Sequence, residues 1–142
     1  MKDLQNNIKQ VMAIVPVALG ATGAVTGAII DRKGYGGVEF ILEYGSITTT
    51  GTSVTLVVKE GDATGSMTSV ADTDLIGTET LAALAAGARA AGTGKEVSKR
   101  IGYKGNKRYV QLIATGAGTT SVGVIASTAI LHTPEAAPVA NP

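Results

Sequence analysis

The residues of this chain whose types could do chemistry are few: the single histidine His132, the loop acids Glu60, Asp62, Asp72 and Asp74, two glycine clusters at residues 20–27 and 34–37, and a basic run framed by tyrosines, Arg100, Tyr103, Lys104, Lys107, Arg108 and Tyr109. A Ser-His-Asp relay would have to pass through His132. That residue stands between a strand-like run and Pro134 with no flanking motif, and reads as a hydrogen-bonded strand-end residue. One imidazole and no cysteine leave no ordinary zinc site, no disulfide and no thiolate nucleophile. The four acids offer the hard oxygens that calcium takes but lack EF-hand spacing. Asp in glycine-rich turns more commonly bonds the local backbone. Neither glycine cluster is a phosphate loop: residues 34–37 are not followed by Lys-Ser/Thr, and residues 20–27 do not stand between a strand and a helix.

The basic run is the remaining candidate. Its cations could meet phosphates while Tyr103 and Tyr109 stack on bases. A net charge of +1, however, supplies no field to draw nucleic acid from a distance. The run reads better as a solvated or partner-facing hairpin whose charges pair with acidic residues on a neighbouring subunit, and a specific protein contact is compatible with that, since interfaces concentrate their energy in Arg and Tyr. No catalytic, cofactor-binding or metal-binding residue is assigned, and the chain reads as a non-enzyme with no cofactor, no nucleic-acid partner and no membrane partner.

The elements that must position these residues are strands broken by turns. Residues 11–19 read as a first strand or arm and residues 24–30 as a second strand. Residues 38–44 alternate cleanly, with Val38, Phe40 and Leu42 on one face and Glu39, Ile41 and Glu43 on the other, so one face should meet the core and the other water or a partner. A fourth strand follows at 54–60 and a short one at 66–71. Residues 72–77 read as a loop with Leu75 and Ile76 tucked inward. Residues 78–91 read as an irregular excursion with one helical turn, Leu81, Leu84, Ala85 and Ala88 sharing a face. Residues 96–103 and 108–115 are expected to pair as a hairpin across a Lys104-Gly-Asn-Lys107 tip, whose residues tolerate left-handed turns. Residues 121–131 form the last strand.

The expected fold is therefore all-β, an antiparallel sandwich or barrel-like single domain with extended N- and C-terminal arms. Its parts are an N-terminal arm or first strand (1–19), a β domain (20–132) and an extended tail (133–142) that three prolines keep out of a sheet. At 142 residues the chain fits one domain. With 44% hydrophobic but only 4% aromatic residues, its core must be built from Val, Ile, Leu and Ala. Residues 11–30 and 110–132 are uncharged and long enough to span a bilayer by count. Pro16 and repeated glycines break the first, and Thr, Ser and β-branched residues make the second a strand sequence.

The run RIGYKGNKRY at 100–109, the opening MKDLQNNI, the closing HTPEAAP at 132–138 and, more loosely, VADTDLIGT at 70–78 resemble small structural proteins encoded beside the capsid genes of tailed bacteriophages. The likeness covers the two ends and the 100–109 run, while the middle agrees in composition. It implies a virion part of the head decoration or cement type. Such a protein binds the outer surface of the major capsid lattice and stabilises the expanded head. The implied partners are the major capsid protein and copies of this chain, in trimer or dimer clusters. The implied location is the head surface of the virion, after synthesis in the host bacterial cytoplasm. Contacts are expected from Leu4 and Ile8 of the N-terminal arm, from Arg100, Tyr103, Lys104, Lys107, Arg108 and Tyr109, and from Pro134 and Pro138 of the tail. A neck, connector or tail component would need the same small β domain. A glycan-binding host-attachment module is disfavoured by four tyrosines and no tryptophan.

Overall fold

Alternation decides which residues face inward. In the computed structural model, which describes residues 3–20, 22–45, 53–84, 97–118, 123–137 and 139, the strands are β1 (Ile8–Leu19), β2 (Ala24–Asp31), β3 (Tyr35–Tyr44), β4 (Ser53–Ala63), β5 (Ser66–Ser69), β6 (Leu75–Ile76), β7 (Val97–Tyr103), β8 (Tyr109–Ala117) and β9 (Gly123–Pro134). They form two sheets. Sheet A runs β1-β9-β3-β7-β6 and sheet B runs β2-β8-β4-β5, with antiparallel pairing throughout the described ladders. The expected all-β class holds, and two separate sheets make it a sandwich.

Every second residue of the central strands is withdrawn from water. Val38, Phe40 and Leu42 of β3 face Val110 and Leu112 of β8 across one core, all at 0% exposure. The β1 strand contributes Ala13, Ile14 and Leu19 to this core and pairs with β9 along its length, with register shifts between Met12 and Ile14 and between Ile14 and Val17. Beyond β9 the tail turns back over the chain's own start, where the Val139 N–H donates to the Asn6 carbonyl at 2.9 Å.

The expected hairpin between 96–103 and 108–115 does not form. Its first strand, β7, pairs with β3 and β6 in sheet A, and its second, β8, pairs with β2 and β4 in sheet B. Residues 104–108 therefore arch from one sheet to the other. Five residues reach up to about 16 Å, enough to cross the roughly 10 Å between packed sheets. The glycine at the tip misled the sequence reading: Gly105 is not among the residues with positive φ. Its reason is close approach, because a side chain there would begin 2.5 Å from the Tyr103 hydroxyl oxygen.

Two smaller expectations also change. Leu75 is buried, but Ile76 points out of sheet A and is exposed. The helical turn is α1 (Glu79–Ala82), N-capped by Thr78, and it buries Ala82 while Leu81 is exposed. Leu84 is buried through a bridge to Val54, and Ala85 and Ala88 lie outside the described residues. The turn is held from three sides. The Tyr44 hydroxyl donates to the Ala82 carbonyl, Lys99 Nζ donates to the carbonyls of Leu81 and Ala83, and Glu79 Oε1 accepts from the Val58 N–H at 2.5 Å.

The arch can be tested by cross-linking. Glu43 and Ser98 are directly opposed on β3 and β7, so Glu43→Cys with Ser98→Cys should oxidise to a disulfide. Arg100→Cys with Gln111→Cys, opposed only in a hairpin, should stay reduced. The reverse result on a non-reducing gel would restore the hairpin.

Candidate interaction surface

The 100–109 run is dispersed by the arch. Tyr103 is fully buried at the end of the core. Its hydroxyl donates to Glu60 Oε2 at 2.5 Å and accepts from the Lys107 N–H at 2.9 Å. Burial, reinforced by the hydrogen bond to Glu60, pushes this phenol up to about 12, so it stays a donor at any physiological pH. Arg32 staples the arch from outside. It donates from Nε to the Lys107 carbonyl, from Nη2 to the Gly105 carbonyl at 2.7 Å and from Nη1 to the Tyr35 carbonyl at 3.1 Å. Its guanidinium carbon lies 5.4 Å from the centre of the Tyr103 ring.

Two of the four cations of the run are satisfied within the chain. Lys107 Nζ meets Asp62 at 2.6 Å, and Arg108 grips Asp31 with Nε at 3.0 Å and Nη2 at 2.7 Å while lying over the Tyr109 ring. Lys104 is exposed, and its backbone N–H donates to the Asp74 carbonyl at 2.9 Å. The expected charge pairing with a neighbouring subunit is thus replaced, for Lys107 and Arg108, by pairing with β4 and β2 of the same chain. The acids weighed as a calcium site are divided in the same way. Glu60 serves Tyr103, Asp62 serves Lys107, and Asp72 and Asp74 sit in a separate 3-10 turn (Asp72–Asp74). Among the described residues no group of three or more His, Cys, Asp or Glu is placed to hold a metal ion.

The surface left uncommitted is the outer face of sheet A. Register places Ile8, Gln10, Met12 and Ala18 of β1 beside His132, Ile130, Thr128 and Val124 of β9. Next to β9, Glu39, Ile41 and Glu43 of β3 face outward opposite Ile130, Thr128 and Ala126, and Arg100 of β7 lies opposite Ile41. Most of this face is apolar. Met12 is 52% exposed, Val15 65% and Val124 50%, where a soluble sheet face would carry polar residues. Glu39 and His132 lie flat on the sheet because glycines make room for them. A side chain at Gly102 would start 2.5 Å from Glu39 Oε2, and one at Gly37 would start 2.6 Å from the His132 ring. Arg100, 3.8 Å from Glu39 with its own side chain 79% exposed, is a loose counter-charge.

At one end of this face the two termini meet. Leu4, Asn7, Ile8, His132, Thr133 and Pro134 line a hollow of about 350 Å³. Three of the expected contact residues, Leu4, Ile8 and Pro134, thus come together from opposite ends of the sequence, while Pro138 lies outside the described residues. Thr133 holds a left-handed backbone, φ 56°, which costs a β-branched residue on the order of 1–2 kcal/mol. Its Oγ1 is 3.0 Å from His132 Nδ1. The outward face of Glu39, Ile41 and Glu43 was foreseen, while the roles of Arg32, Met12, Val15 and Val124 were not. The available signal was in β9, where Val124, Ala126 and Ile130 alternate with core residues and leave both faces of one strand apolar.

The chain matches no protein-family model and no curated protein sequence. Among solved structures, the crystal structure of the PBSX exported protein XepA aligns over 99% of this chain with a TM-score of 0.59 and 16% identity. The chain spans 42% of XepA's length, and the likeness shows a shared fold. Two looser likenesses carry no argument: a structure from work on Bacillus endospore appendages, disulfide-linked pili (TM-score 0.43, 16% identity, 93% of this chain and 96% of that one), and infectious bursal disease virus (0.45, 12%, 92% and 34%). No helix among the described residues is long and apolar enough to cross a membrane.

Two outcomes are expected of the arch. Tyr103→Phe leaves the Glu60 carboxylate and the Lys107 N–H without their partner and should cost about 1–3 kcal/mol in urea denaturation. A variant as stable as the parent would remove the hydroxyl from this account. Arg108, chiefly through its hydrogen bonds, lowers the Asp31 carboxyl from 3.8 to about 2. A depressed carboxylate stabilises the fold above its unfolded value and loses that contribution as pH falls through the folded one. Asp31→Asn should therefore lower the unfolding free energy slightly at neutral pH, by no more than about 1 kcal/mol for so exposed a pair. The difference should close as pH falls from about 4 towards 2. A difference independent of pH would mean that the ion pair is not its source.

Proposed function

We propose that this chain is a virion structural protein of a tailed bacteriophage, a head decoration protein that binds the outside of the major capsid lattice and stabilises its expanded form. The observation that carries the proposal is the run of exposed apolar side chains along β1 and β9, Met12, Val15 and Val124, on strands whose opposite end carries the hollow lined by Leu4 and Ile8. A contiguous apolar patch on a small domain is what a permanent partner covers. The resemblance of the two ends and of residues 100–109 to phage structural proteins supplies the setting. XepA, whose fold this chain shares, is an exported protein of PBSX, which is compatible with that setting.

The mechanism is thermodynamic, and no catalytic step is needed. A ligand that binds one lattice state better than another shifts the lattice toward that state by its differential affinity. Binding at a hundred times the dissociation constant adds about 2.7 kcal/mol per site, and the many sites of a lattice repeat the gain. Purified chain should therefore bind saturably to expanded shells that lack it, bind unexpanded shells at least tenfold more weakly, and raise the melting temperature of the expanded shells. Equal binding to both forms, or none to either, would reject the decoration role.

A further inference from the structure

We propose that the outer face of sheet A, from β1 across to β7, is the surface that docks on the capsid, and that it meets an apolar strip bordered by Lys or Arg side chains. The inference rests on the decoration reading and adds to it the docking face and the chemistry of what that face fits.

The face has two unlike halves. The β1 and β9 half is apolar, through Ile8, Met12, Val124 and Ile130. The β3 half carries a carboxylate row, Glu39 and Glu43, with Ile41 between them. Glu43 accepts a hydrogen bond from Ser98 Oγ at 2.9 Å, and Glu39 is three-quarters covered, with only the loosely held Arg100 as counter-charge. Burial raises the Glu39 carboxyl above its ordinary range, against the opposing pull of Arg100 and His132. A partner cation placed over the row would add a closer counter-charge than the loosely held Arg100.

The same layout disfavours a second copy as occupant. A two-fold axis lying in the face and parallel to the strands sets Met12 of β1 over the partner's Arg100, and sets both acids over apolar β9. An axis across the strands through Ile41 sets Glu39 against the partner's Glu43, and Arg100 against its own copy. Each arrangement buries like charges or unpaired ones. By contrast, the apolar residues on the outer face of sheet B, Ile29, Val57 and Ile113, are set among Thr26, Thr55, Lys59, Gln111 and Thr115.

Size also bears on the mode of attachment. Four strands at about 4.8 Å spacing and about nine residues of length give a plane of roughly 15 by 30 Å. That is on the order of 450 Å², short of the roughly 800 Å² per partner of a standard interface. The hollow under Leu4 continues the face and would add to it. Repetition over a lattice, or a further contact, must supply the rest.

Met12→Lys, Val124→Lys and Glu43→Lys alter exposed side chains, and circular dichroism should show each one folded. Binding to expanded shells that lack this chain should weaken at least tenfold for each, while Thr26→Lys and Thr55→Lys on sheet B bind as the parent does. Parent-like binding by the sheet A variants, or an equal loss by the sheet B variants, would overturn the assignment while leaving the decoration role standing. A parent chain that ignores the shells would remove the decoration role and this assignment with it. If sedimentation shows Met12→Lys to dissociate a self-assembled form while shell binding is unchanged, the face belongs to a second copy and the assignment is wrong.

Discussion

Tyr103 sits where the two sheets would otherwise part, and the arrangement of this molecule depends on how it is held. The chain leaves sheet A at Tyr103 and enters sheet B at Tyr109, so the core must be closed at that end by whatever the arch carries. A phenol ring fills the gap, but its oxygen must then be satisfied inside the protein. Glu60 and the Lys107 N–H do this, and Arg32 ties the loop carbonyls around the ring. An unsatisfied hydroxyl there would cost about 1–3 kcal/mol, comparable with the net worth of several exposed ion pairs. The knot, more than the surrounding charges, fixes the crossing of the chain.

This accounts for what became of the basic run. Its cations and tyrosines resemble an adhesive tip when read in order along the sequence. Once the run crosses between sheets, Lys107 and Arg108 fall beside acids already present on β4 and β2, and Tyr103 turns inward. Only Arg100, four residues before the arch, is left facing outward on sheet A. Surface available for a partner is therefore found on the sheet face instead, and at the hollow where the termini meet.

The sequence carried the strands well and their partners poorly, for a physical reason. Alternation is a local property, and Val38, Phe40 and Leu42 announced a buried face that the fold delivers. Choice of sheet is not local. A short Gly-Asn link suits a hairpin or an arch, and the decision lies with Glu60 and Arg32, distant in sequence. Leu4, Ile8 and Pro134 were singled out by their place near the termini, but their convergence depends on the β1 and β9 pairing. The apolar outer face went unread because exposure cannot be seen in a strand whose two faces are both apolar, as in β9.

The central claim is that this fold serves a lattice, binding once per repeating unit through a sheet face. Copy number tests that claim most directly. Quantitative mass spectrometry of purified particles should find this chain in numbers close to those of the major capsid protein. A handful of copies per particle would place it in a neck or tail ring, and its absence from particles would contradict a virion role altogether.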